Sequence, residues 1–366
     1  MRLFLFGTLL WPDLLEAVAG RPVAVTPARL AGQSVRRAAD GDWPVLTPGA
    51  GAEGAVTEPL DADAAARIDW YEAGYGYGRA AVEAATADGP VAAAVYRGPA
   101  DGAGTWDLAA WRAEHGARTL LAAREIMAAR GAASAETGAA LRAMIHARAA
   151  TELSVRAHRR PATVGAGLDA GDVARLGAVT PYVGFHRVDE LRFRHRRFDG
   201  GTSDPVTRAV SVVAQAATVL PWDPVRDRVL VVEQVRAGPL ALGDPLPWML
   251  EPVAGLVDPG ETPEETAARE AREEAGLTLD PDALTLVSRY YPSPGGLGQV
   301  LWSYVARCDL PDGAAGLGGL EGEAEDIRGH LVPVDDLLAM VESGEAANAP
   351  LVISAQWIAL ARTRGV

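Results

Sequence analysis

The chain contains no lysine: all 34 of its basic residues are arginine. Mechanisms that need a lysine amine, such as a P-loop phosphate grip or a Schiff base, are thereby excluded. Together with the abundance of alanine and glycine, this absence reads as compositional bias. Cysteine is nearly missing too. Cys308 stands alone, which rules out an internal disulfide and fits a reducing, cytoplasmic setting. Long apolar runs are also lacking. The opening Met1-Arg-Leu-Phe-Leu-Phe-Gly7 is too short for a signal peptide, and no stretch approaches the length needed to span a bilayer. Positive charge is in deficit, with 48 acidic residues, a net charge of −14 and a pI near 4.9. A nucleic-acid partner is therefore not expected, because phosphates call for a basic surface. What is present in quantity is apolar material, 49% of 366 residues, enough to bury two cores.

The texture changes along the chain. Leu3 to Phe6 reads as a short buried strand running into Gly7-Thr8-Leu9. Gly54-Ala-Val56 and Pro90 to Tyr96 read as further strands bounded by Gly and Pro. Ala64 to Glu72 has helical character, broken by Gly74 to Gly78. From Trp106 to Arg160, alanine, arginine and glutamate recur at helical spacing. Leu120, Leu121, Arg124 and Met127 mark one helix, and Leu141, Met144, Ile145 and Arg148 another, with a break over 131–138. Pro161 to Gly171 is a small-residue linker. Beyond it Leu191, Phe193 and His195 alternate with Arg192, Arg194 and Arg196, predicting a half-buried strand with a solvated basic face. Ala216 to Leu220 and Val229 to Val232 are fuller apolar strands, with Pro221 to Asp227 read as the turn between them. A closing helix is expected over about 351–362.

The most specific segment runs from Gly255 to Leu277. Thr262 suits an N-cap, Pro263 the first helical position, and Glu265 completes a capping box. Gly276 stands where a left-handed C-terminal residue is wanted. The helix so bounded, 263–275, places Glu270, Glu273 and Glu274 at i, i+3 and i+4 on one face. Like charges at that spacing repel by roughly 0.2–0.5 kcal/mol per pair, a cost that a hard divalent cation removes. The run also fills every specified position of G-x5-E-x7-R-E-U-x-E-E-x-G-U, where U is apolar. That pattern is the Nudix box, and the chain resembles the Nudix hydrolases, which split diphosphates linked to a nucleoside.

Val229 to Arg236, Trp248 to Gly255, Ser293-Pro-Gly-Gly296, Glu323 to Arg328 and Asn348 to Trp357 are similar to the ADP-ribose pyrophosphatase subfamily. The resemblance implies Mg²⁺-dependent hydrolysis (with Mn²⁺ as a substitute) of ADP-ribose, or a related nucleoside diphosphate sugar, to AMP and ribose 5-phosphate. It implies Glu270, Glu273 and Glu274, the Ala254 carbonyl and Glu325 as metal ligands. Glu323 takes the general-base position in a glycine-rich loop, with Glu270 and Glu274 also in the catalytic set. Arg269 would orient the ligands. Arg236, Arg208, Ser293, Gly295 and Gly296 would bind substrate. Leu297, Gly298 and Gln299, and Thr207 and Ala209 beside Arg208, depart from the subfamily's pattern and bear on the choice of nucleotide. A homodimer is implied, formed through the Nudix domain with residues 182–215 reaching to the partner.

Phe6-Gly7-Thr8-Leu9 and Ile68-Asp69-Trp-Tyr-Glu72 resemble the two signatures of the γ-glutamylcyclotransferase-like (AIG2-like) fold. That resemblance makes Gly7, Thr8 and Leu9 a substrate cradle and Glu72 an acid/base. Phe6 replaces the tyrosine of the signature and removes a hydroxyl. The expected architecture is thus two domains of mixed α/β and α+β class. Residues 1–104 form a γ-glutamylcyclotransferase-like β-barrel/α domain, 105–170 a helical connector and linker, and 171–366 a Nudix α/β/α sandwich. The alternatives are a bifunctional enzyme with cyclotransferase activity in the first domain, and a nucleotide sensor without turnover.

Overall fold

The computed structural model describes residues 1–98, 101–131, 139–161, 163–319 and 325–364. The chain forms two units: Met1–Arg160 with Val183–Phe185, and Pro161–Tyr182 with His186–Val366. No helix among the described residues is long and apolar enough to cross a membrane.

In the first unit the strands are β1 (Phe4–Leu5), β2 (Val25–Leu30), β3 (Gln33–Ala38), β4 (Pro44–Pro48), β5 (Ala52–Thr57), β6 (Gly78–Thr86), β7 (Gly89–Arg97) and β8 (Gly102–Thr105). Five of them make a sheet in the order β1-β5-β2-β6-β7. A parallel bridge between Leu3 and Ala94, with the Ala94 N–H donating to the Arg2 carbonyl at 2.9 Å, brings the last strand back beside the first. Strand alternation then sorts the side chains. Phe4, Phe6, Leu30, Val56 and Val95 pack inside this ring. Leu3 and Leu5 point outward, against helices α1 (Pro12–Ala19) and α2 (Ala62–Ala73).

The stretch expected to be a connector shares this outer core. It comprises α3 (Leu108–Trp111), a π turn (Arg112–Gly116), α4 (Ala117–Ala128) and α5 (Arg142–Ala157). Ala122, Ala123, Ile126, Met127, Ile145 and Ala149 are buried among the α1 and α2 side chains. The break expected over 131–138 lies, apart from Gly131, outside the described residues.

The second unit has strands β9 (Val173–Val183), β10 (Arg187–His195), β11 (Val206–Val212), β12 (Ala216–Asp223), β13 (Arg228–Val235), β14 (Trp248–Glu251), β15 (Val253–Leu256), β16 (Thr285–Tyr290), β17 (Leu297–Gly298), β18 (Leu301–Arg307), β19 (Leu317–Gly318) and β20 (Ile327–Pro333). Its helices are α6 (Ala237–Leu242), α7 (Pro263–Ala275), α8 (Val334–Ser343) and α9 (Ala349–Arg364). The main sheet runs β16-β18-β12-β13-β20-β19, with β14 added to β13 and β15 to β12.

Both faces of its centre are buried, which explains the unbroken apolar runs of β12 and β13. Leu220, Trp222, Val229 and Val231 face α8 and α9, through Leu337, Leu351 and Ile358. Ala217, Val219, Leu230 and Val232 face α7, through Ala267 and Ala271. The result is the expected α/β/α layering. Cys308, next to the end of β18, is half-buried beside the α7-side core, and its N–H donates to the Trp222 carbonyl at 2.9 Å. A separate sheet, β17-β11-β10-β9, stands at one side.

Two local readings differ from the structure. Pro221 and Trp222 belong to β12, whose parallel pairing with β18 runs on to Trp222 opposite Arg307. The turn is therefore confined to 224–227, where the Asp223 carboxylate accepts the N–H groups of Val225 and Arg226 and Asp227 takes a φ of +51°. In β10, Asp189, Leu191 and Phe193 lie on the more buried side and Arg192 and Arg194 outside, as alternation requires, but His195 at the strand end is exposed.

Candidate active site

The carboxylate-bearing helix is built by its own ends. The Thr262 hydroxyl accepts the Glu265 N–H at 3.2 Å and the Glu265 carboxylate accepts the Thr262 N–H at 2.7 Å. Gly276 closes the helix at φ +65°. Ala267 and Ala271 are the small residues that let α7 lie close on the sheet. This presses its acidic face toward β15. A Cβ on Gly255 would sit 1.8 Å from the Glu270 Oε1, so any side chain there would displace that carboxylate from its present place. The Ala254 N–H donates to the Glu274 Oε2 at 3.2 Å. At the other end a Cβ on Gly318 would lie 1.8 Å from the Glu274 carbonyl oxygen, which lets β19 close on the helix.

Arg269 is the hub. Its guanidinium donates to Glu261 at 2.9 and 3.1 Å, to Glu270 at 2.7 Å, to Glu273 at 3.0 Å and to the Leu256 carbonyl at 3.3 Å. These bonds hold Glu261 below, and Arg269 above, their ordinary pKa. Glu270 is nevertheless raised, because burial outweighs the arginine. Glu274 is 2% exposed, and burial, helped by the charges of Glu270 and Glu325, pushes its pKa up to about 8. Glu274, Glu270 and Glu325 therefore sense one another across a site with surplus negative charge. Such hard oxygen donors fit Mg²⁺ or Mn²⁺. Among the described residues, no three acidic, histidine or cysteine side chains stand close enough to enclose an ion. Glu323, the expected base, lies outside the described residues.

The remaining expected positions fall in two places. Arg236 donates to the Glu251 carboxylate at 2.7 Å, and Glu251, 6% exposed, also accepts the Asn348 Nδ2 at 2.9 Å. Glu251 thus ties the end of β13 to Asn348, far along the chain, a role its place after an apolar run did not signal. Ser293, Gly295 and Gly296 form a tight loop. The Ser293 carbonyl accepts the N–H groups of Gly296 and Leu297, and the Ser211 N–H donates to the Gly296 carbonyl at 2.9 Å. The loop is thereby docked on β11, the strand that carries the exposed Arg208. The Gln299 side chain donates to the Ala214 carbonyl at 3.1 Å, which seats the residues after the loop.

In the first unit Gly7 and the turn Thr8–Leu10 follow β1 directly, and a Cβ on Gly7 would strike the Pro44 ring at 2.3 Å. The Tyr77 hydroxyl donates to the Pro44 carbonyl at 3.4 Å, and Tyr77 also senses the charge of Glu72. Glu72, in the last turn of α2, keeps a partly exposed rim. Crowding around its carboxyl still raises the pKa to about 7, against an opposing pull from Arg142. Phe6, in place of the signature tyrosine, lines a cleft with Leu10, Arg36 and Trp106.

Comparison with known proteins agrees with both halves. Residues 213–353 match the NUDIX domain and residues 3–113 the gamma-glutamyl cyclotransferase, AIG2-like family. The ADP-ribose pyrophosphatase of Escherichia coli (strain K12) is 41% identical over 189 residues, 52% of this chain and 88% of that one. Its Haemophilus influenzae counterpart is 37% identical over 191 residues, 52% and 87% of the two chains. A GDP-mannose pyrophosphatase of Yersinia enterocolitica is 28% identical over 159 residues, 43% and 81% of the two chains. A solved structure described as an ADP compounds hydrolase overlaps 53% of this chain and 96% of its own at 20% identity, with a TM-score of 0.41. An intact box on a sheet-backed helix and relatives matched over nearly their whole length lead to one conclusion: the chain belongs to the Nudix hydrolases and carries an AIG2-like cyclotransferase-family domain ahead of its hydrolase domain.

Proposed function

We propose that the second unit hydrolyses the diphosphate of ADP-ribose, or of a related nucleoside diphosphate sugar, to AMP and ribose 5-phosphate in a reaction that needs Mg²⁺. The observation that carries this reading is the box face itself: Arg269 holds Glu270 and Glu273, Gly255 leaves room for the Glu270 carboxylate, and the Ala254 N–H holds Glu274. Glu270, Glu274 and Glu325, with Glu273 and the Ala254 carbonyl, would hold the cation by drawing together on it, since the described side chains do not enclose an ion as they stand. Bound there, it would neutralise the diphosphate and acidify water. Arg269 fixes the carboxylates from behind. Arg236 offers its outer edge to phosphate or ribose while Glu251 holds the inner one. Ser293, Gly295 and Gly296 present backbone groups to the substrate, and Arg208 stands on the strand beneath them. Glu323 is the base in this reading. The names of the relatives support an ADP-ribose or nucleotide-sugar substrate.

The test is incubation with ADP-ribose and GDP-mannose, with and without Mg²⁺. AMP and ribose 5-phosphate formed only with the metal are expected, and metal-independent or absent hydrolysis of both would sink the reading. We also read the unit as a homodimer through the β9–β11 sheet. Val173, Leu176, Val179 and Tyr182 all lie exposed along β9, the edge strand of that sheet, an apolar row that a partner would cover. Light scattering giving the mass of one 38.2 kDa chain would refute the dimer.

A second reading is favoured by Glu72. A carboxyl whose pKa is raised to about 7 can both take and return a proton near neutrality. In a γ-glutamyl compound the α-amine nitrogen would attack the γ-carbonyl carbon, forming the ring C–N bond as the amide C–N bond breaks. Glu72 would carry the proton from the attacking to the leaving nitrogen. The expected results are 5-oxoproline release that rises through about pH 7 and its loss in Glu72→Gln. No product across γ-glutamyl amines and peptides would leave the domain a binding module.

A further inference from the structure

Arg142 lies on α5, beyond residues 3–113 that match the cyclotransferase family, yet its guanidinium packs on Tyr71 and Tyr75, the residues that flank the end of α2 where Glu72 stands. The residue is 6% exposed. Its Nη2 donates to the Tyr71 carbonyl at 2.8 Å, and its guanidinium carbon stands 3.9 Å from the centre of the Tyr75 ring. A Cβ on Gly74 would come within 2.0 Å of Nη2, so the glycine after α2 makes room for the arginine. The Nε and Nη1 of Arg142 are buried without a hydrogen-bond partner. The Nε of Arg118, on α4, is in the same condition. His146, one turn along α5 from Arg142, bonds the Tyr75 hydroxyl at 3.1 Å, and burial with the two arginine charges keeps it neutral.

Buried guanidinium donors are costly to leave unmet, and here no carboxylate of the described residues meets those of Arg142. Glu72 is close enough to sense the charge of Arg142 but makes no ion pair with it among the described contacts. The pair is thus arranged as two neighbouring groups of opposite sign, each with unfilled capacity. An α-amino acid presents the complement, an amine and a carboxylate on one carbon. A planar fork suits that carboxylate better than a point charge does.

We propose that Arg142 is the binding residue for the α-carboxylate of a γ-glutamyl compound, or of its cyclised product, at the Glu72 site, so that the helices after the family domain complete that site. The substrate class rests on the cyclotransferase reading of Glu72. The carboxylate site itself does not, because it follows from the unmet donors.

The experiment is calorimetric titration of the full chain with 5-oxoproline and with 2-pyrrolidinone, the same ring without the carboxylate. Binding of 5-oxoproline but not of 2-pyrrolidinone is expected, weakened roughly ten- to a hundredfold in Arg142→Gln. Gly74→Ala, which keeps the arginine but displaces its guanidinium, should show the same selective loss and serves if the first variant misfolds. Near-UV circular dichroism checks the tyrosine packing of each. Affinity retained in a folded variant, or a wild type that does not distinguish the two rings, overturns the proposal. Arg142-dependent binding without turnover of γ-glutamyl compounds would remove the catalytic reading and keep the site. Turnover with Arg142-independent binding would do the reverse.

Discussion

Glu274→Gln is expected to lower kcat for ADP-ribose hydrolysis by about a thousandfold, the several kcal/mol a catalytic cation contributes, while the protein stays folded. The fold should survive because the carboxylate is buried at 2% exposure and the hydrogen bond that it accepts among the described residues, from the Ala254 N–H, can be accepted equally by an amide oxygen. The volume is unchanged and the mutual repulsion with Glu270 and Glu325 is removed. What is lost is an anionic oxygen for the metal. Activity assayed across a Mg²⁺ titration checks this: near-normal turnover at any concentration would withdraw Glu274 from the metal site. A nucleotide sensor without turnover has no need of that charge, so the same titration with the unmodified protein also tests the sensor alternative.

Arg269→Ala should be the most damaging single change to the box. It removes five hydrogen bonds and leaves Glu261, Glu270 and Glu273 facing one another without a cation. With all four side chains no more than about a quarter exposed, the second unit should lose about 2–4 kcal/mol of stability. Any remaining activity should fall roughly 10- to 100-fold through misplaced ligands. Arg269→Lys should recover little, because a single ammonium cannot span three carboxylates and a carbonyl at once. Urea unfolding followed through the tryptophans of the second unit measures the first effect. A shift of less than about 1 kcal/mol would show the hub to be a screened surface network.

The parts of the fold that were legible in the sequence are those governed by local chemistry. Thr262, Pro263, Glu265 and Gly276 bound α7 at the residues where capping and left-handed geometry place them. The apolar runs of β12 and β13 announced burial on both faces. Pro221 misled because proline usually ends a strand, whereas here β12 continues past it along β18. β9 left no periodic trace because all but its last residue are exposed. The arginines of the helical stretch carried no sign of pointing inward. Arg148 lies 3% exposed and reaches Glu125 at 2.5 Å and the Phe185 carbonyl at 2.7 Å, contacts set by tertiary packing that helical spacing cannot reveal. Glu251 was missed for the same reason, since Arg236 and Asn348 find it only in the folded sheet.

Cys308 turns the chain into its own reporter. It is the single thiol in a protein of two separately packed units, and it sits beside the core of only one. Burial pushes its pKa to about 11, so at neutral pH the reactive thiolate is scarce and a half-covered sulfur meets reagent slowly. The rate at which a thiol reagent modifies the protein therefore combines slow direct attack with openings of the hydrolase unit, and the part that grows with denaturant reports those openings. Its dependence on denaturant yields an opening free energy for that unit, separate from whatever the first unit is doing.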